Sequence, residues 1–388
     1  MSQHDGSRVF YFTRMLAEYR IPILERLNER LDGRLIVFSG NPPDGTSTLL
    51  AKSVGDFEHH PLPNYWFRGE TFHAQPYGSA FDTYGNPAVV LAEESPRSVT
   101  LPFLLRRARL AGAGRVLWGI FYSVFRPFSI THPLQRYRIE MARRVEACAC
   151  YTRGVRDQLA PHVDPNKLFV AQNTMDTNRL FALRRELERK GKQTVRRELG
   201  IPEGRATLVF TGQLIPRKGT NELLDTFAAL RRERPATLLV MGGGPEREAM
   251  EARVRNEALE GVFFLGSISQ IDKSAPYLYA SDAMLLPGYV GLVANHAFSM
   301  GLPLVTQKAP DGIPFHGPEV ESVISGYNGF VTDRDPAALL NAVRHVLDHQ
   351  QQYSRHAIRY VEENLTIDRM VDAIVDAVHY AAANRPSR

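Results

Sequence analysis

Short apolar runs alternate with amphipathic stretches along most of this 388-residue chain. RVFYFT (8–13), LIVFSG (35–40), AVVLAEES (88–95), RVLW (115–118), CACYT (148–152) and LFVAQN (168–173) are rich in β-branched and aromatic residues, which predicts buried strands. Leu24, Leu27 and Leu31 recur at helical spacing behind Pro22, and IEMARRVEA reads as a helix before 148. From 207 the alternation resumes. TLVFTG (207–212), TLLVMG (237–242), VFFLG (262–266), AMLLP (283–287) and LPLVTQ (302–307) predict strands. The stretches 220–233, 246–258, 275–280, 292–300 and 336–349 predict helices. Strands apolar on both faces and alternating with helices predict parallel sheets covered on both sides. Two such blocks predict an α/β chain of two doubly wound Rossmann-like domains facing a cleft, with ligands at the C-terminal ends of the strands. The boundaries read as 1–175 for an N-terminal domain, 176–204 for highly charged connector helices and 205–365 for a C-terminal domain. A last helix over 366–388 is expected to pack back on the first domain. The stretch 41–80, rich in Pro, Gly, His and aromatics, predicts irregular structure.

Composition narrows the class. Apolar residues make up 44% and charged residues 23%, as in ordinary globular proteins, which excludes a disordered or fibrous chain. The net charge of +5 is too small for this length to argue for a nucleic-acid binder. Cys148 and Cys150 are the only cysteines, which excludes a disulfide scaffold or four-cysteine zinc site and suits free thiols in a reducing cytoplasm. MSQHDGSRVFYFTRM has no apolar core, so no secretory signal is expected. The most membrane-like run, VLWGIFYSVF (116–125), ends at Arg115 and Arg126 and is shorter than the ~20 residues a span requires.

Candidate chemistry lies at predicted strand ends. In TGQLIPRKGTNELL, Gly212 ends a strand, and Arg217 and Lys218 precede a helix near Thr220. Two cations beside a helix N-terminus suit a diphosphate; a solvated basic turn is the plainer alternative. In LLPGYVGLVANHAFSMGLPLV, Gly288 and Gly291 bracket a turn before a helix, exposing the amides of Gly291, Leu292 and Val293 to a phosphate. His296 lies one turn in, on the face of Leu292. Glu319 opens a short helix in FHGPEVESVISGYNGFV. MGGGPE lacks the dinucleotide spacing G-x-G-x-x-G, so Gly242–Gly244 reads as a tight turn. Asp333-Arg334-Asp335 resembles a metal-binding D-x-D, but Asp335 precedes Pro336 and an apolar-periodic helix, which predicts a helix cap. No metal is expected.

The run GQL…RKG, MGGGPE, FFLGSIS, APYLYASDAMLLP, GLVANHAFSMGLPLVT and GPEVESVISGYNGFV resembles, in continuous order over about 205–350, the C-terminal half of the family 4 retaining glycosyltransferases. Their fold is GT-B. Tyr19-Arg20-x-Pro22, Trp118-Gly119 and AQNTMD (171–176) are similar to bacterial surface-polysaccharide members. The resemblance implies a nucleotide-diphosphate sugar held by the second domain. Lys218 matches the family's diphosphate lysine, and Gln213 stands where its arginine usually lies, with Arg217 as the candidate substitute. The glycine-rich turn matches Gly288–Val293. The family's glutamate pair, E-x7-E, falls on Gly288 and His296, so both glutamates are missing. Glu319 matches a glutamate in a later loop.

In the first block, Arg14, Tyr19 and Arg20 follow the first strand and are expected to face the cleft, where an arginine could neutralise the leaving diphosphate or an acceptor phosphate. Glu93 and Glu94 end another strand and are candidate acids for an acceptor hydroxyl. From Ser95 to Ile139 there is no acidic residue but eight arginines interleaved with Leu101, Phe103, Leu104, Leu105, Trp118, Phe121, Tyr122, Phe125 and Phe128. That mixture suits an anionic membrane surface contacted through 97–138. The expected protein is a metal-independent glycosyltransferase without a cofactor, cytoplasmic or peripheral on the inner face of the cell membrane. It would transfer a sugar from a UDP- or GDP-sugar to a glycan or lipid-linked acceptor with retention of configuration. The alternatives are a non-catalytic nucleotide-sugar-binding subunit, or a sugar-nucleotide epimerase or phosphorylase on the same fold.

Overall fold

The computed structural model describes residues 8–43, 50–51, 53–311 and 315–386. Residues 1–7 of the segment read for a secretory signal, and 44–49 and 52 of the stretch expected to be irregular, lie outside the described residues. The chain divides into two units. One comprises 1–123, 128–176 and 367–388; the other comprises 124–127 and 177–366.

In the first unit the strands β1 (Val9–Thr13), β2 (Leu35–Ser39), β3 (Glu58–Pro61), β4 (Tyr65–Phe67), β5 (Phe72–Ala74), β6 (Val89–Glu93), β7 (Gly114–Gly119), β8 (Ala147–Cys150) and β9 (Leu168–Val170) alternate with helices α1 (Ile21–Arg30), α2 (Gly78–Tyr84), α3 (Leu101–Leu110), α4 (Pro133–Arg144) and α5 (Arg153–Leu159). Among the described residues the sheet order is β3-β2-β1-β6-β7-β8-β9, with parallel pairing throughout. Every residue of β1 and β2 is buried, as expected of strands covered on both faces. Cys148 and Cys150 are buried free thiols in β8.

The sequence pattern missed three features of 41–80: the edge strand β3, the antiparallel β4–β5 hairpin and α2. Apart from His73 the residues of the three strands are at least partly exposed, and α2 buries only Ala80 and Phe81, so no apolar periodicity announces them. The expected strand 148–152 stops at Cys150, because Thr152 accepts the Val155 N–H at 3.3 Å and caps α5.

The second unit holds α6 (Thr177–Lys190), α7 (Lys192–Glu198), β10 (Ala206–Thr211), α8 (Thr220–Arg231), β11 (Ala236–Met241), α9 (Arg247–Asn256), β12 (Val262–Gly266), α10 (Ile271–Ala280), β13 (Ala283–Leu285), α11 (Val293–Ser299), β14 (Leu304–Gln307), β15 (Gly329–Thr332), α12 (Pro336–Asp348) and α13 (Gln350–Asn364). Its parallel sheet runs β12-β11-β10-β13-β14-β15 among the described residues. The segment expected as a connector is part of this unit. α6 packs on α10 and α11, and α7 packs on α10. Buried Arg196 ties α7 to Asp282 at 2.7 Å and to Ala280 O at 2.8 Å. The last helix, α14 (Ile367–Ala383), lies on α1 and across β7, β8 and β9 of the first unit. Its buried face of Met370, Val371, Ile374, Ala377, Val378 and Ala381 joins the core under β1 and β7.

Candidate active site

In the second unit three loops leave neighbouring strand ends. The loop after β10 departs through Gly212 (φ 145°), turns through Pro216–Lys218 and enters α8 at Gly219. Fully buried Leu214 anchors its middle, donating its N–H to Gly243 O at 2.9 Å and accepting from Glu246 N–H at 3.0 Å. A Cβ on Gly242 would fall 1.9 Å from Gly212 O. The glycines of MGGGPE therefore serve close loop packing at a strand-to-helix turn.

The same loop is laced to the exit of β13. Gly288 N–H donates to Lys218 O at 3.1 Å and Tyr289 N–H to Arg217 O at 2.9 Å. A Cβ at 288 would lie 2.2 Å from Arg217 O and 2.3 Å from the Lys218 carbonyl carbon, so the backbones can approach only because this residue has no side chain. The contact sets both cations. Lys218 Nζ donates to Tyr289 O at 2.8 Å. The Arg217 guanidinium lies 4.1 Å from the Tyr289 ring centroid, 4.6 Å from that of Phe125 and 5.4 Å from that of Phe315, and donates to Phe315 O. Burial, with Arg217 adjacent, pulls the Lys218 pKa down to about 8. Burial also lowers that of Arg217. Among the described residues no carboxylate pairs with either cation, so the loop is electrostatically incomplete and suits an anion.

The turn 288–291 is held by a residue that sequence reasoning missed. His316 accepts the Val290 N–H on Nδ1 at 3.1 Å and donates from Nε2 to Gln307 O at 2.9 Å. Burial pulls its pKa down to about 4, so the ring is neutral, with the one donor and one acceptor these bonds require. A single histidine in a Pro/Gly loop gives no periodic signal. Glu319 is buried in the 3-10 turn Pro318–Ser322. A Cβ added to Gly317 would meet Glu319 Oε2 at 2.4 Å and Tyr289 Oη at 3.0 Å, which places that carboxylate beside the same turn.

Leu292 caps α11, and the Ala294 and Asn295 N–H groups return to Gly291 O and Leu292 O, each at 3.1 Å. The amides of Gly291, Leu292 and Val293 thus precede the helical ladder. His296 lies one turn in, with Nε2 buried and without a partner. Burial pulls its pKa down to about 4 and keeps it neutral. Asp335 accepts the Ala338 N–H at 2.7 Å as the cap of α12, while Asp333 pairs with Lys308 at 2.6 Å. That pair of carboxylates has structural partners.

The first-unit candidates separate. Glu93 accepts from Thr13 Oγ1 at 2.8 Å and Arg14 N–H at 3.1 Å and faces Arg14 Nε at 3.2 Å. Burial alone would raise its pKa, but Arg14 and these bonds hold it below the usual range. Glu94 sits apart, buried and paired with Arg138 at 2.9 Å; burial raises its pKa. Arg20, expected to face the cleft, is buried, 4.2 Å from the Trp118 ring, 5.2 Å from that of half-exposed Tyr19 and 5.4 Å from that of Tyr151, and it donates to Tyr151 Oη at 2.5 Å. Glu94 is therefore occupied by its partner, because a buried charge must find its partners within the protein, whereas Arg20 has no carboxylate partner among the described residues and its Nη1 is buried without a hydrogen bond. The basic-aromatic stretch also divides. Leu101, Leu104, Leu105, Trp118 and Phe121 are core, and Arg115 is buried against Glu146 at 2.6 Å. Phe103 (60% exposed) and Leu110 (71%) remain outside on α3 with Arg106, Arg107 and Arg109. Among the described residues no helix is long and apolar enough to cross a membrane.

Residues 205–349 match the family model described as Glycosyl transferases group 1. A D-inositol 3-phosphate glycosyltransferase of Geodermatophilus obscurus is 27% identical over 58% of this chain and 50% of its own length. A 2-deoxystreptamine glucosyltransferase of Streptomyces kanamyceticus is 27% identical over 47% of this chain and 49% of its own. The chain thus spans about half the length of these curated relatives. Among solved structures, a glycosyltransferase from Rickettsia africae superimposes with a TM-score of 0.73 at 15% identity, covering 98% of this chain and 100% of that one. Anabaena HepE, solved in complex with UDP, gives 0.68 at 16% identity over 96% and 99%. The chain therefore has the GT-B fold of two Rossmann-like domains, and its second unit contains the segment that matches the group 1 glycosyl transferase model.

Proposed function

We propose that this protein is a glycosyltransferase that takes a sugar from a nucleotide-diphosphate donor and passes it, with retention of configuration and without a metal, to a glycan or lipid-linked acceptor. The observation that carries the reading is the lacing of the Arg217-Lys218 loop to the Gly288–Gly291 turn, which presents two unpaired cations in a half-buried setting. As the glycosidic bond breaks, negative charge grows on the departing diphosphate. Lys218, Arg217 and the amides of Gly291–Val293 would stabilise it, a preorganised electrostatic effect that is usually the largest catalytic contribution. Neutral His296, with its unpartnered nitrogen, offers a hydrogen bond where the resembling family has a glutamate. HepE binds UDP and UDP-glucose, which favours a uridine donor. The test is calorimetry with UDP-sugars and GDP-sugars; binding of neither overturns the donor reading.

The same reading includes a docking face. Phe103, Arg106, Arg107 and Leu110 lie three to four residues apart on the exposed side of α3, a pattern that suits the headgroup boundary of an anionic membrane.

A further inference from the structure

Among the described residues the two parallel sheets end on four edge strands, β3, β9, β12 and β15. Three of them are guarded. β3 opens on a glutamate and stops at a proline. β9 is only three residues long. The outer side of β15 is met by its own preceding turn: Ser325 Oγ accepts the Val331 N–H at 2.9 Å, and Gly326 N–H donates to Gly329 O at 3.0 Å. β12 reads VFFLG, without a charge or a proline, the usual devices that keep an edge from pairing. None of its residues is buried, and Phe263 is 41% exposed. Its inner side bonds through Gly261 O to the Leu238 N–H at 2.8 Å. By alternation the N–H and C=O groups of Val262 and Phe264 point outward, away from β11. The register shift of this strand falls after Phe264.

The helix that leads into β12 is as thinly covered. Met250 alone is buried in α9. Arg253 marks the side of α9 that faces α8, where it bonds Asp225 and Asn221 O. At 3.6 residues per turn, Glu248 and Arg255 project on the far side. Both are exposed, and neither has an ion-pair partner among the described residues.

We propose that a second copy of this chain pairs with β12, strand against strand in antiparallel order, about a two-fold axis near Phe263. Val262 of each copy then faces Phe264 of the other and exchanges both backbone hydrogen bonds, and the two Phe263 rings lie side by side. An identical edge is the occupant that a two-fold axis matches residue for residue. Strands ~4.8 Å apart place α9, which bridges β11 and β12, ~5 Å from the axis, so α9 and its copy pack antiparallel at the usual ~8–10 Å. Glu248 and Arg255 lie at equal distances from the midpoint of α9 (Arg247–Asn256). Each Glu248 therefore meets Arg255 of the other copy. The edge is self-complementary in hydrogen bonds, in apolar surface and in charge, and the inference does not depend on the donor reading.

Sedimentation velocity on the full chain, in a concentration series up to roughly 100 μM, should show a dimer. Phe263→Lys, which puts a charge on the edge, should abolish it. Arg255→Glu should raise the dimer dissociation constant about tenfold, because two ion pairs become two like-charge contacts. Adding Glu248→Arg to that variant should restore the dimer. A monomer at every concentration, assembly that grows beyond two copies, a dimer insensitive to Phe263→Lys, or a double reversal that restores nothing overturns the proposal. Should Phe263→Lys fail to fold, hydrogen exchange of the wild type decides: the Val262 and Phe264 amides should exchange more slowly in concentrated than in dilute protein, and equal rates overturn it.

Discussion

Replacing Lys218 with alanine removes one of two cations that have no carboxylate partner. An ammonium about 4 Å from a phosphate charge, at an effective dielectric near 20, gains about 4 kcal/mol. To reach the donor, Lys218 gives up its 2.8 Å bond to Tyr289 O, worth ~1 kcal/mol. The remaining ~3 kcal/mol corresponds to roughly a 100-fold loss in kcat/KM for the donor. The structure also implies a proton count. With its pKa drawn down to about 8, half of the Lys218 side chains are neutral at that pH. A bound diphosphate raises the pKa, so UDP binding at pH 8 should take up about half a proton. Because the ammonium is the working form, donor kcat/KM should fall as pH rises through about 8. Calorimetry with UDP in two buffers of different ionisation heat reads the uptake, and initial rates of donor turnover read the catalytic loss. Lys218→Arg should retain binding but lose the uptake. Zero uptake by the wild type, together with Lys218→Ala turning over within about threefold of it, would refute the placement of the diphosphate.

Four further outcomes are expected. Activity should persist in excess EDTA, since Asp333 and Asp335 are engaged with Lys308 and the α12 amides; a strict manganese or magnesium requirement would contradict this. His316→Ala leaves the buried Val290 N–H unpaired and should destabilise the second unit by ~1–3 kcal/mol in denaturant titration, with weaker UDP binding; unchanged stability and affinity would show that the turn holds itself. Gly288→Glu, which restores the resembling family's residue, should lower UDP affinity because its Cβ meets Arg217 O; increased affinity would disprove that clash. Vesicles containing anionic lipid should co-sediment the protein at low salt and release it at high salt, and Arg106→Glu, Arg107→Glu and Arg109→Glu together should abolish binding; equal, negligible binding to neutral and anionic vesicles argues against the α3 face.

The alternation of apolar strands with amphipathic helices was sufficient to specify two doubly wound domains, because a parallel sheet covered on both faces demands wholly apolar strands such as VFYFT and ATLLVM. The order of the Lys218 loop, the Gly288 turn and α11 was legible for the same local reason: glycine and proline punctuate strand-to-helix turns wherever they fall. What only the tertiary structure decided is which charges are used up. Arg14 and Arg20 are six residues apart in one loop region, yet one meets Glu93 while the other lies among Trp118, Tyr19 and Tyr151. Glu93 and Glu94 are adjacent, yet alternation along the strand end sends them to Arg14 and Arg138. His316 carries no periodic signal, because it acts through partners distant in sequence. Burial and partnership depend on packing between segments far apart in the chain, and a linear pattern does not encode them.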